Sequence, residues 1–221
     1  MENQEENKVE LRDRRTEIVE AYVHYVLEHG REPVSVFKFV KSLGMKEEEF
    51  YEYFTSFASI KSAVWEKIID DTVRGMESQE VYQEYSAREK MLSFYFTLVE
   101  ELKKHRSYLL SMYEGHLSFK RNVPMELKGF KEKFKAFSAD VILEGKENEE
   151  IADRSFISDR YEDALWLETL FILQYWLKDT SPGFEKTDVA IEKSVSLAFD
   201  LMGKSALDSF LDLAKFIYQS K

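Results

Sequence analysis

Between Arg12 and His29 the apolar positions are Ile18, Ala21, Tyr22, Tyr25 and Val26, with His29 closing the series. Steps of three and four residues put them on one face of a helix. Gly30 supplies a stop and Pro33 bars continuation. Ser35 then caps a short second helix with Val36, Phe39, Val40 and Leu43 inward. Gly44 stands where a helix-turn-helix requires positive φ. The pattern predicts a third helix over residues 46–53, with Phe50 and Phe54 inward, and a fourth from about Ser56 carrying Ile60, Val64, Trp65 and Ile68 toward Gly75. These elements form a unit over residues 1–75, and residues 76–221 form a larger helical one.

In that second part Ser86 and Glu89 have the spacing of a capping box and open a helix through Phe94, Leu98 and Leu102. Helices are expected over 106–120 and 125–146, parted by a turn at Asn122-Val123-Pro124. The polar run KENEEIADRS (146–155) is expected to be a mobile loop. Helix 158–178 is apolar on nearly every side: Trp166, Leu170, Leu173 and Leu177 make one stripe, Leu167, Phe171 and Tyr175 another. Such a helix must be covered on both faces. Ser181 and Pro182 start helix 184–202, and Ser205 with Asp208 starts a last helix bearing Leu207, Phe210, Leu211, Ala214, Ile217 and Tyr218.

Composition agrees with an all-α chain: three prolines and eight glycines in 221 residues leave few breakers. The absence of cysteine removes disulfides, thiolate metal sites and cysteine nucleophiles. The N-terminus has no apolar core of a secretory signal, and the run LWLETLFILQYWL (165–177) is too short and too polar to span a bilayer, so no membrane association is expected. No metal site is expected either, since His24 and His29 are five apart and His105 and His116 lack partners at ligand spacing. With no phosphate loop, nucleophile elbow or zincin motif, nothing points to an enzyme or to a cofactor.

The run VSVFKFVKSLGMKEEEFYEYFTSFASI (34–60) resembles the N-terminal domain of the TetR/AcrR family of transcriptional regulators. Members show a Thr/Ser-Val-x-x-Ile-Ala helix, then Gly-Val-Ser-x-x-x-Leu-Tyr-x-His/Tyr-Phe-x-Ser-Lys-Glu-x-Leu. Ser35, Val36, Gly44, Tyr51, Tyr53, Phe54, Ser56 and Ile60 fit, and Phe39, Val40, Met45 and Phe50 fit in character. QYWLKDTSPGFEKTDVAIEKSV (174–195) is similar to a segment of some bacterial members. The resemblance implies an all-α fold, an N-terminal three-helix helix-turn-helix domain followed by a larger ligand-binding and dimerisation domain. It implies a cytoplasmic, ligand-responsive homodimer that binds double-stranded DNA through Arg15, Ser35, Lys38, Lys46, Glu49, Tyr51 and Tyr53. A hydrophobic or aromatic effector would lie against Phe94, Leu98, Tyr108, Met112, His116, Phe134, Phe137, Trp166 and Thr169. The dimer would pair through Leu170, Leu173, Leu177, Val195, Ala198 and Met202 in a four-helix bundle.

The departures from the pattern concern charge. Lys46 replaces the family's Ser, Glu48 and Glu49 occupy positions that face DNA, Glu52 precedes Tyr53, and Phe57 replaces a phosphate-contacting Lys. Carboxylates in a first helical turn favour the helix dipole, yet they fill the place a phosphate would take. One Glu reads a cytosine amino group; four do not. The net charge is −11, and residues 1–75 hold 11 Lys and Arg against 16 Asp and Glu. Two functions therefore stand open. One is the regulator just described. The other is a homodimer of this fold without DNA binding, serving as a small-molecule, lipid or protein-interaction module.

Overall fold

The computed structural model describes residues 2–113, 123–154 and 160–203, with side chains from Arg14 onward. Among these residues the helices are α1 (Glu2–His29), α2 (Val36–Ser42), α3 (Glu47–Tyr53), α4 (Phe57–Glu77), α5 (Ala87–Lys104), α6 (Arg106–Tyr113), α7 (Lys128–Glu147), α8 (Tyr161–Lys178) and α9 (Glu185–Met202). The fold is all-α, as the periodicity indicates. The expected last helix, residues 114–122 and residues 155–159 lie outside the described residues.

Local chemistry sets the N-terminal helices. Gly30 (φ 64°) and Gly44 (φ 67°) adopt the left-handed conformation that a Cβ disfavours, ending α1 and turning α2 into α3. The Ser35 hydroxyl accepts from Lys38 N at 3.3 Å at the start of α2, and Ser56 with Ser59 forms a capping box on α4. Tyr22, Phe39, Phe50 and Phe54 close the small core with Ile60 and Val64. Helix α1 begins at Glu2 rather than near Arg12. Its first turns lack an apolar stripe, so periodicity could not reveal them; their Glu- and Lys-containing sequence is nonetheless compatible with a helix.

Helix α4 runs unbroken through residue 75, the boundary expected from sequence, and packs on α5, α7 and the 3-10 turn Met125–Leu127. In the larger part α5 lies among α4, α7 and α9, and α8 packs against α7 and α9. Helix α6 reaches back to α1. The α8–α9 turn is organised by Asp179. Its carboxylate accepts from Ser181 N (2.8 Å), Ser181 Oγ (2.6 Å), Thr187 N (2.9 Å) and Thr187 Oγ1 (2.7 Å). Burial raises the Asp179 pKa, but these bonds outweigh it and hold the group at about 2.

The polar run after α7 is not the loose loop its composition suggests. Glu149 takes a positive φ of 61° and sends Ile151 back inward, where it is 1% exposed. The Glu150 carboxylate accepts from Ala87 N and Arg88 N at the start of α5, at 3.2 and 3.4 Å. Arg154 is buried and donates to the Tyr161 hydroxyl (3.0 Å) and to the carbonyls of Leu201 (3.1 Å), Met202 (3.3 Å) and Gly203 (2.6 Å). It thus caps the C-terminal end of α9, where free carbonyls and the helix dipole favour a cation. Arg154→Ala is expected to lower stability by about 3 kcal/mol, because buried carbonyls lose charged donors. Urea denaturation of the variant checks this, and Arg88→Ala, which removes the more exposed Arg88–Asp200 pair, is expected to cost under about 1 kcal/mol.

Candidate functional site

Three surfaces bear on function. The first is the helix-turn-helix face. Lys38 and Lys41 on α2 are exposed and carry no ion pair among the described residues. The other expected DNA contacts are engaged within the protein. Arg15 lies over the Phe54 ring at 4.5 Å and donates to Tyr53 O at 3.4 Å. Lys46 pairs with Glu48 at 3.5 Å, and Tyr51 donates its hydroxyl to Glu47 at 3.1 Å. The Arg14 guanidinium, bonded to Glu17 at 2.7 Å, has its pKa raised by Glu17 and further by Glu49. Tyr53 and Glu49 are half-buried, and Ser35 is committed to capping α2. No side chain caps α3, so Glu47, Glu48 and Glu49 sit on bare amides of its first turn. Val34 and Phe37, around the start of α2, are 70% and 56% exposed, an apolar feature that helical periodicity does not assign to a surface.

The second is the aromatic centre of the larger domain. Phe94 stacks on Phe137 with centroids 4.9 Å apart and tilts against Phe134 at 5.3 Å, while Trp166 lies 5.9 Å from Phe134. Leu98 and Thr169 are fully buried nearby, and Tyr95 links α5 to α8 through Leu165 O (3.3 Å) and Thr169 Oγ1 (3.2 Å). Two of the expected lining residues stand elsewhere. Tyr108 and Met112 lie on α6, which packs against α1, and the Tyr108 ring is 6.4 Å from that of Tyr22. Short α6 follows α5 after a break at His105 and so leaves the aromatic centre. His116 lies outside the described residues.

That α1–α6 contact belongs to a polar junction between the two parts. Lys61 on α4 bridges Glu32, before α2, at 2.8 Å and Glu126, in the 3-10 turn, at 3.1 Å. Burial lowers the Lys61 pKa, but the two carboxylates outweigh it and the net shift is upward. Tyr22 also donates to Glu32 (3.0 Å), and Trp65 donates to the Tyr113 hydroxyl (2.9 Å). The Tyr108 hydroxyl is buried with no partner. Sequence spacing gave no sign of this cluster, since directly paired members such as Lys61 and Glu126 are 65 residues apart.

The third is the outer face of α8 and α9, where the structure reverses an expectation. Leu170, Leu173, Val195 and Met202, expected at a dimer interface, are 4%, 1%, 1% and 3% exposed and fill the core of the protomer itself. Leu177 and Ala198 are half-buried against the same core. The other stripe faces out: Leu167 is 66%, Phe171 47% and Tyr175 37% exposed, with Val189, Leu197 and Leu201 on α9. Helix α8 has two apolar faces, and the one carrying Trp166 is taken by α7, so the opposite stripe remains.

At the edge of this stripe Glu168 has both carboxylate oxygens buried without a direct hydrogen-bond partner. The hydroxyls of Tyr95 and Ser194 lie near enough to favour its ionised form. Tyr95 is engaged with Leu165 and Thr169, however, and Ser194 with Ile191 O at 3.2 Å. Burial therefore prevails and pushes the carboxyl up to about 7. In the sequence Glu168 shows only as an interruption of an apolar run.

Among the described residues no helix is long and apolar enough to cross a membrane, and no three His, Cys, Asp or Glu converge as metal ligands. Residues 90–217, more than half of the chain, match the family described as "Tetracyclin repressor-like, C-terminal domain". Comparison with curated proteins and with solved structures finds no match.

Proposed function

We propose, for a chain that belongs to the tetracyclin repressor-like family, that it works as a homodimeric, effector-responsive transcriptional regulator. The observation that carries this reading is the α2–Gly44–α3 unit. Its Ser35 cap and Gly44 turn are those of a helix-turn-helix, and it is joined through Lys61 to the domain that the family shares. The free lysines Lys38 and Lys41 reach phosphate, Ser35 holds α2 in register, and Arg15, Lys46, Tyr51 and Tyr53 supply the further contacts of this reading. Glu49 faces base edges, where a carboxylate accepts from a cytosine amino group. The exposed α8–α9 stripe pairs with a second copy across a two-fold axis. A hydrophobic or aromatic effector enters the Phe94, Phe134, Phe137 and Trp166 cluster and shifts the dimer toward a spacing that no longer matches successive major grooves.

Lys38→Ala and Arg15→Ala test the contacts. Each is expected to weaken operator binding roughly tenfold and to lower the salt slope by about one for each phosphate contact removed. Fluorescence anisotropy across a salt series reads both. Unchanged affinity and slope would remove these residues from the interface.

A second reading is favoured by a specific observation. Glu47, Glu48 and Glu49 occupy the first turn of α3, Lys46 and Tyr51 are turned onto them, and Phe37 and Val34 are exposed. On that reading the fold keeps its dimer and effector domain but has given up DNA, and α3 meets a protein surface or serves no contact.

A further inference from the structure

The α8 surface has a property that an ordinary apolar interface lacks. Ala164, Phe171 and Tyr175 stand at i−4, i+3 and i+7 from Glu168, so it shares a side of the helix with the exposed stripe. Its carboxylate is closed off from solvent by α5 and α9, while the residue as a whole remains only half-buried. The groups facing it are Tyr95 from α5 and Ser194 from α9. No charged side chain among the described residues contributes to its protonation balance.

A carboxylate with no cation and no committed donor resists further loss of water unless it first binds a proton. Covering Ala164, Leu167, Phe171 and Tyr175 takes away the water that still surrounds the half-buried rest of the Glu168 side chain, and so deepens the desolvation of a carboxylate already out of contact with it. We propose that pairing of two copies through the α8–α9 face takes up a proton at each Glu168, so that the dimer is tighter in mildly acidic than in mildly alkaline solution. The inference rests on the dimer reading given above. Its direction follows from linkage: a carboxyl whose pKa rises on association favours the dimer below that pKa, and the advantage is lost as pH rises through it.

Sedimentation equilibrium of the full chain at pH 6 and pH 8, at equal ionic strength, tests this with the wild type and Glu168→Gln. The wild-type dimer dissociation constant is expected to rise on the order of tenfold between the two, from a pKa rise of about one unit at two sites. Glu168→Gln, a near-isosteric and uncharged change, is expected to hold the same constant at both. All four histidines remain in the variant as an internal control. A wild-type dimer indifferent to pH overturns the proposal, as does pH dependence that persists in Glu168→Gln. A chain that stays monomeric at both values overturns the dimer reading itself. Proton uptake by the wild type, read from the dependence of dilution heats on buffer ionisation enthalpy, decides the matter if the variant does not fold.

Discussion

Glu168→Gln is expected to stabilise the fold at pH 8 by roughly 3 kcal/mol, at fixed protein concentration. The unfolded carboxyl titrates near its ordinary value of 4.5, whereas burial holds the folded one at about 7. Below the lower value the group is neutral in both states and costs nothing. As pH rises between the two values, the unfolded chain gives up its proton while the folded chain keeps it, and stability falls. Above about 7 the folded protein carries an ionised, desolvated carboxylate and the penalty is complete. Gln removes the charge while keeping the shape. Urea denaturation should therefore show variant and wild type nearly equal at pH 4 and well separated at pH 8. Equal stability at pH 8 would mean that water or a donor reaches the carboxylate.

Converting Glu48, Glu49 and Glu52 together to Gln is expected to raise non-specific DNA affinity by about 10- to 100-fold at low salt, provided that α3 lies against the duplex. A dimer loses six negative charges from surfaces that would approach a polyanion, and exposed charges at such distances act through partly screened fields. Glu48 and Glu52 are exposed, and Glu49 is half-buried beside Arg14, so the change also frees cations: Lys46 loses its partner Glu48, and Arg14 the field of Glu49. Anisotropy with an arbitrary duplex at low and at moderate salt measures the gain. No gain at low salt would show that α3 does not face phosphate in any bound state.

How far the sequence could be read depends on how local the deciding interactions are. Ser35, Ser56 and Ser86 cap the helices that they precede, and Gly30 and Gly44 turn as expected, because caps and positive-φ turns are settled within a few residues. Helix α8 shows the limit. Both of its apolar stripes are visible in the sequence, but which one is buried depends on where α5, α7 and α9 lie, and the inward face proved to be that of Leu170 and Leu173. The KENEEIADRS run reads as solvated from its charges. Its Arg154 is nonetheless drawn inward by the carbonyls at the end of α9, some fifty residues away, and Ile151 is buried. Tyr108 fits an apolar face wherever α6 packs, and only the fold sets it against Tyr22. The acidity of α3, by contrast, was legible from sequence, and the structure adds that Lys46 and Tyr51 are turned onto its carboxylates.

The central claim is that this helix-turn-helix reads DNA despite its glutamates. Selection of genomic DNA fragments by the purified full chain, at low salt and again at moderate salt, tests it most directly. Enrichment of a two-fold symmetric site, with half-sites about one helical turn apart, that survives the added salt is the expected result. A well-folded dimer that enriches no site at either salt would contradict it and establish the acidic face as one that has left DNA.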